Sequence, residues 1–181
     1  MASDDVTSGR ESYPSAAVRG GLVFGRMDQS RLHRDRDGLR AIAGAQFAHR
    51  FLLHVPEARV TRAVAANAGW YAMPDFTVAW PYGLQGSAVG EEQLRHALQA
   101  PLTLLLGAEN GAPNEPGPRW TQEALAQGPH RVARGEAFFA AGRAAAADRG
   151  IPFGWQLATV PGAGHDGDLM AAAALPYLLQ P

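Results

Sequence analysis

The sequence predicts a layered α/β fold with a small parallel sheet of about three strands flanked by helices, and three observations carry that expectation. Residues 101–107, Pro-Leu-Thr-Leu-Leu-Leu-Gly, form a continuous apolar run of the kind buried on both faces of a parallel sheet. Segments with helical apolar spacing alternate with short apolar segments along residues 41–181. A chain of 181 residues with 46% hydrophobic and 8% aromatic residues is long enough for one domain with a sizeable core.

Taken in order, the first 40 residues differ from the rest. They hold five of the six serines, seven of the 16 basic residues and the charged cluster His33-Arg34-Asp35-Arg36-Asp37, with one short apolar run at residues 21–24. So little apolar surface does not offset the entropy of ordering, so residues 1–40 are expected to be poorly ordered and to lie outside a domain spanning 41–181. Ile42, Phe47, Phe51 and Leu52 recur at helical spacing over 41–55, where Pro56 ends the pattern. Residues 59–66, ended by Asn67-Ala68-Gly69, read as a strand. An irregular aromatic segment, 70–90, precedes a short helix over 91–99. After the 101–107 strand and a Gly/Pro-rich loop come helices over 121–126 and 132–149, the second anchored by Phe138-Phe139 and stopped at Gly150. A strand over 153–160, a loop over 161–167 and a helix over 168–179, interrupted by Pro176, complete the chain. The three strands start at Arg59, Pro101 and Phe153, and helices from Ala43, Val132 and Asp168 cover them.

Composition excludes several function classes. Sixteen basic residues, all arginine, against 17 acidic ones give a net charge of -1, so no field favours nucleic acid or an anionic membrane surface. Without cysteine there are no disulfides, thiolate metal sites or cysteine nucleophile. Residues 1–10 lack the apolar core of a signal peptide, and no run reaches the roughly 18 apolar residues of a membrane span, so a cytoplasmic protein is expected. No cofactor is implied.

Three blocks within 43–181 carry a resemblance. The first is Ala43-Gly44-Ala45-Gln46-Phe47-Ala48-His49-Arg50 with the stretch from Arg59 to Asp75, including Asn67-Ala68-Gly69-Trp70-Tyr71. The second is Leu104-Leu105-Leu106-Gly107-Ala108-Glu109-Asn110, and the third Val160-Pro161-Gly162-Ala163-Gly164-His165-Asp166. Together they resemble the C-terminal half of an α/β-hydrolase, in particular bacterial esterase-like and polyester-depolymerase-like serine hydrolases. The resemblance implies an ester substrate and a site at the C-terminal edge of a parallel sheet, in the chain order nucleophile, acid, histidine. In that scheme a base takes the nucleophile's proton, an acid orients the base, and backbone N–H groups meet the oxyanion.

Mapped residue by residue, the resemblance puts the base at His165, the acid at Asn110 and the nucleophile at Ile42, with the N–H of Ala43 as an oxyanion donor. Isoleucine cannot attack a carbonyl, and its branched side chain resists the strained backbone of an elbow. Asn110 can hydrogen-bond an imidazole but brings no charge. Glu109 replaces it only if the turn is reshaped. The upstream strands of such an enzyme are also missing from 40 polar residues. The expectation is a serine-hydrolase relative, catalytically impaired as written; the alternatives are a non-catalytic binding protein that pairs through an exposed sheet edge, as a homodimer for instance, or a truncated or frame-shifted esterase fragment.

Trp70, Tyr71 and Met73, with Phe76, Trp80 and Tyr82, either line an acyl-binding pocket, as the resemblance implies, or pack on the sheet. His49 and His54 are spaced i, i+5 rather than the i, i+4 of helical metal ligands, and read as surface or capping residues. His96 and His130 read as surface, and Ser87 as a turn residue. The Gly162 and Gly164 loop lacks the residues that a phosphate-binding motif requires. No metal site is expected.

Overall fold

In the computed structural model, residues 33–35, 38–58, 60–111 and 119–179 are described. A five-stranded sheet runs in the order β1-β2-β3-β4-β5: β1 (His33–Asp35), β2 (Gly38–Gly44), β3 (Val60–Ala66), β4 (Leu102–Gly107) and β5 (Gln156–Val160). The last four strands are parallel, and β1 folds back antiparallel on β2. The helices are α1 (Ala45–His54), α2 (Glu91–Gln99), α3 (Gln122–Gln127), α4 (Arg131–Asp148) and α5 (Gly167–Leu179), with a 3-10 turn at Ala108–Gly111. The α/β class and the parallel sheet are as the sequence predicts.

Two details differ. Residues 41–44 were expected to open the first helix, yet they end β2, with Ala41 paired to Ala63 and Gly44 to Ala66. A run as short as Ala-Ile-Ala-Gly fits either period, and pairing with the buried β3 decides for strand. The boundary near Arg40 is likewise crossed, because β2 begins at Gly38 and the charged cluster supplies β1. Residues 1–32 lie outside the described residues. At the other end α5 runs through Pro176 rather than breaking there. Pro176 falls in the last turn; it forfeits the one bond to the carbonyl of Ala172, and the helix ends three residues later.

The sheet is covered on both faces because its central strands are apolar on both. All six residues of β4 are buried. Ala63 and Ala65 of β3 and Leu102 and Leu104 of β4 pack with residues of α1, α2 and α4. Val64 and Leu105 point the other way, onto Met170, Ala174 and Leu178 of α5. Each buried leucine contributes about 2–3 kcal/mol of transfer free energy. Helix α4 sits close because two of its residues lack a Cβ: at Gly135 it would lie 2.5 Å from Leu106 Cδ2, and at Gly142 2.5 Å from Trp155 Cζ3. Trp155 in turn donates its indole N–H to Ala97 O at 2.7 Å, tying the approach to β5 onto α2. Among the described residues no helix is long and apolar enough to cross a membrane.

Candidate active site

Parallel pairing from β2 to β5 brings four strand ends to one edge, and the three sequence blocks meet there. The first end is a corner with no intervening residue, β2 finishing at Gly44 and α1 starting at Ala45. The position assigned to the nucleophile, Ile42, is not on this corner. It lies two residues earlier, in regular register with Val64, and Ala43 beside it pairs with Ala65. Both are ladder residues rather than members of a sharp turn.

Asn67, one residue beyond β3, holds the edge together. Its φ is 55°, a left-handed conformation that asparagine tolerates better than most residues. From there its Oδ1 accepts from Gly107 N at 2.8 Å, and its Nδ2 donates to Gly164 O at 3.1 Å. One buried side chain thus fastens the end of β4 to the histidine loop. The sequence reading took Asn67 only as a turn residue; an asparagine followed by Ala-Gly at a strand end was the available signal for the left-handed turn.

Asn110 sits in the 3-10 turn after β4 and is wholly buried. Neither its Nδ2 nor its Oδ1 has a hydrogen-bond partner. A buried amide left so costs about 1–3 kcal/mol. It abuts the histidine loop, because a Cβ placed on Gly107 would meet Asn110 Nδ2, Ala163 O and Gly164 O, all within 2.8 Å. Glu109 N donates to Ala163 O at 2.9 Å, a second tie, while the Glu109 side chain is exposed.

The loop after β5 carries His165, which is exposed at this edge. Gly162 takes φ 69°, and Ala163 is buried against α5. Asp166 is committed elsewhere: its Oδ1 accepts from Asp168 N and Leu169 N, each at 2.9 Å, and caps α5. The structure therefore brings the base and acid positions to one edge, with the β2–α1 corner at the same edge.

The aromatic segment divides in two. Tyr71 is wholly buried and stacks on Phe138 at 4.4 Å, so it belongs to the core rather than to an acyl pocket. Its backbone is clamped from both sides by Gln127, which accepts from Tyr71 N at 2.8 Å and donates to Tyr71 O at 2.7 Å. Met73 packs half-buried on the same core. Trp70 joins a separate cluster, its ring tilted against that of Tyr82 with centres 4.5 Å apart and covered by the guanidinium of Arg50 at 4.2 Å. His49 corrects a further expectation. It is not on the surface but buried against both Tyr71 and Phe138, donating from Nδ1 to Ala45 O at 2.6 Å and accepting from Ala72 N at 3.0 Å. Its burial first, and the Arg50 charge second, lower its pKa from 6.5 to about 3. His130 caps α4 by accepting from Ala133 N at 3.2 Å. Among the described residues no three His, Cys, Asp or Glu side chains gather as a metal site.

A parallel sheet with helices on both faces, a strand-to-helix corner, an acid-position turn and a histidine loop at one C-terminal edge is the arrangement of an α/β-hydrolase-type protein. The solved structures agree. A poly(aspartic acid) hydrolase-1 from Sphingomonas sp. KT-1 is 40% identical, with a TM-score of 0.74. LpqC, a poly(3-hydroxybutyrate) depolymerase from Bordetella parapertussis, is 42% identical, with a TM-score of 0.71. Each match covers 76% of this chain and only 53% and 48% of the respective enzymes, so the chain spans about half their length. No family model and no curated protein matches. The chain is thus similar in fold to these α/β-hydrolase-type enzymes over about half of their length.

Proposed function

We propose that this chain derives from a carboxylic ester hydrolase of the serine type and is catalytically impaired as written. The observation that carries the reading is the meeting of the β2–α1 corner, the Asn110 turn and the His165 loop at one sheet edge, taken with the isoleucine at the position, Ile42, that the resemblance assigns to the nucleophile. His165 keeps the base position. With isoleucine at the position assigned to the nucleophile, that position offers it no hydroxyl or thiol to deprotonate, and Asn110 offers no charge to stabilise an imidazolium. One of the two similar enzymes is named for a polyamide and the other for a polyester; the ancestral substrate is proposed to be of the second kind, the ester bond of a polymer or oligomer, with Trp70 and Met73 beside it.

Hydrolysis of a short p-nitrophenyl ester tests this. No rate above the buffer background is expected, for the wild type or for His165→Ala. A rate that survives purification and disappears in His165→Ala would overturn the reading.

A second reading, an interaction protein, is favoured by β5, which ends the sheet with Gln156, Leu157 and Thr159 exposed. It predicts a homodimer by size-exclusion chromatography at micromolar concentration, dissociated by Leu157→Lys. A monomer at all concentrations would dismiss it.

A further inference from the structure

One side chain ties together three neighbouring strand ends at the C-terminal edge. Asn67 follows β3 directly, and its own N–H donates to Leu105 O of β4 at 3.1 Å. Its side chain then reaches two further partners. Oδ1 accepts from Gly107 N at 2.8 Å, and Nδ2 donates at 3.1 Å to the carbonyl of Gly164, the residue before His165. One partner is a donor and the other an acceptor, so the amide has a single satisfied orientation, oxygen toward Gly107 and nitrogen toward Gly164. Asn67 is only 5% exposed, and water competes weakly for either bond.

Few other residues meet these demands together. A backbone at φ 55° favours glycine, asparagine or aspartate. Glycine has no side chain with which to bridge, and an ionised aspartate accepts but cannot donate to Gly164 O. Asn110, at the position the resemblance assigns to the acid, makes no such tie: it is buried, with neither amide atom hydrogen-bonded. The loop is located instead by Asn67, together with the backbone bond from Glu109 N to Ala163 O at 2.9 Å.

We propose that Asn67 is the positioning residue of this edge: by bridging Gly107 and Gly164 it sets where the loop presents His165. The role of His165 as a base position rests on the proposed function; the bridge does not.

Nuclear magnetic resonance of Asn67→Gly and Asn67→Asp tests the proposal. Glycine keeps the backbone and removes both side-chain bonds, so exchange of the Gly107 amide should quicken about tenfold and the Gly164 carbonyl carbon signal should move upfield. Aspartate is a conditional substitute. Its carboxyl must be protonated to donate to Gly164 O, so burial and that bond raise its folded-state pKa above the usual value of about 3.9. The bridge is then complete at low pH and is lost as pH rises through the raised pKa. At pH 8 the Gly164 carbonyl and His165 ring signals of Asn67→Asp should differ from those of the wild type, and at pH 5 they should coincide with them. Glu109, His165 and Asp166, the titratable groups exposed at this edge, are common to both proteins, so comparison at each pH cancels their own titration. Recovery on acidification within one sample also separates loss of the bridge from a failure to fold. Wild-type Gly164 and His165 signals in Asn67→Gly, or an equal displacement of Asn67→Asp at both pH values, would overturn the assignment. Ester hydrolysis by the wild type reports on the proposed function separately, so either can fail alone.

Discussion

Urea denaturation of His49→Leu is expected to show a loss of about 3 kcal/mol at neutral pH with an unchanged m-value. Leucine fills much of the space the imidazole occupies against Tyr71 and Phe138, so the cost is not chiefly a cavity. It comes from the N–H of Ala72, which gives its hydrogen bond to Nε2 and would be buried with no acceptor. The tautomer follows from the same two bonds, because Nδ1 must carry the proton it donates to Ala45 O, leaving Nε2 free to accept. A protonated imidazole would turn Nε2 into a second donor facing the Ala72 donor.

That geometry fixes a pH dependence. The folded-state pKa of His49 is depressed to about 3 from 6.5, so the unfolded chain binds a proton that the folded chain refuses. The stabilisation is fully present above pH 6.5 and is lost progressively as pH falls toward 3, at up to about 1.4 kcal/mol per pH unit. In His49→Leu this slope should be absent, and the stability curves of the two proteins should converge on acidification. A wild-type stability that is flat between pH 6 and 4, or a leucine variant with the same slope, would show that the imidazole is not held neutral.

How much of this was legible in the sequence depends on whether a feature is local. The run at 102–107, the helix at 91–99 and the Gly150 stop declare themselves through period and punctuation, and their bounds agree with the structure to within a residue or so. Residues 38–44 do not, because an apolar tetrapeptide becomes a strand only when Ala63–Ala66 lies beside it. The edge that gathers Asn110 and His165 followed from strand order and direction. The side chains that hold it, Asn67 reaching Gly164 and Gln127 clamping Tyr71, join residues 97 and 56 positions apart, for which spacing gives no sign. His49 was misread for the same reason. An i, i+5 histidine pair was weighed as ligands or surface, whereas the partner that decides its role, Ala72 N, lies on a different element. Tyr71, read as a residue that lines an acyl pocket or packs on the sheet, faces inward and packs in the core.

Gly107→Ala is expected to do the most damage at the site itself. An added Cβ would lie 2.5 Å from Ala163 O, 2.8 Å from Gly164 O and 2.8 Å from Asn110 Nδ2. Two of these are backbone atoms of the loop that carries His165, so relief requires moving the loop rather than rotating a side chain. Overpacking of this kind costs about 1–3 kcal/mol, and here it also strains the bonds from Glu109 N to Ala163 O and from Asn67 Nδ2 to Gly164 O. Stability should therefore fall by about 3 kcal/mol, and amide exchange at Glu109 should accelerate by more than the loss of global stability requires. Gly167→Ala is the matched control. Nothing lies within 4 Å of its added Cβ, its φ is ordinary and it opens α5, so the substitution should be neutral or stabilise by a few tenths of a kcal/mol through the unfolded chain. If the two variants were equally stable, β4 and the histidine loop would not be in the contact described, and the placement of Asn110 against that loop would fail with it.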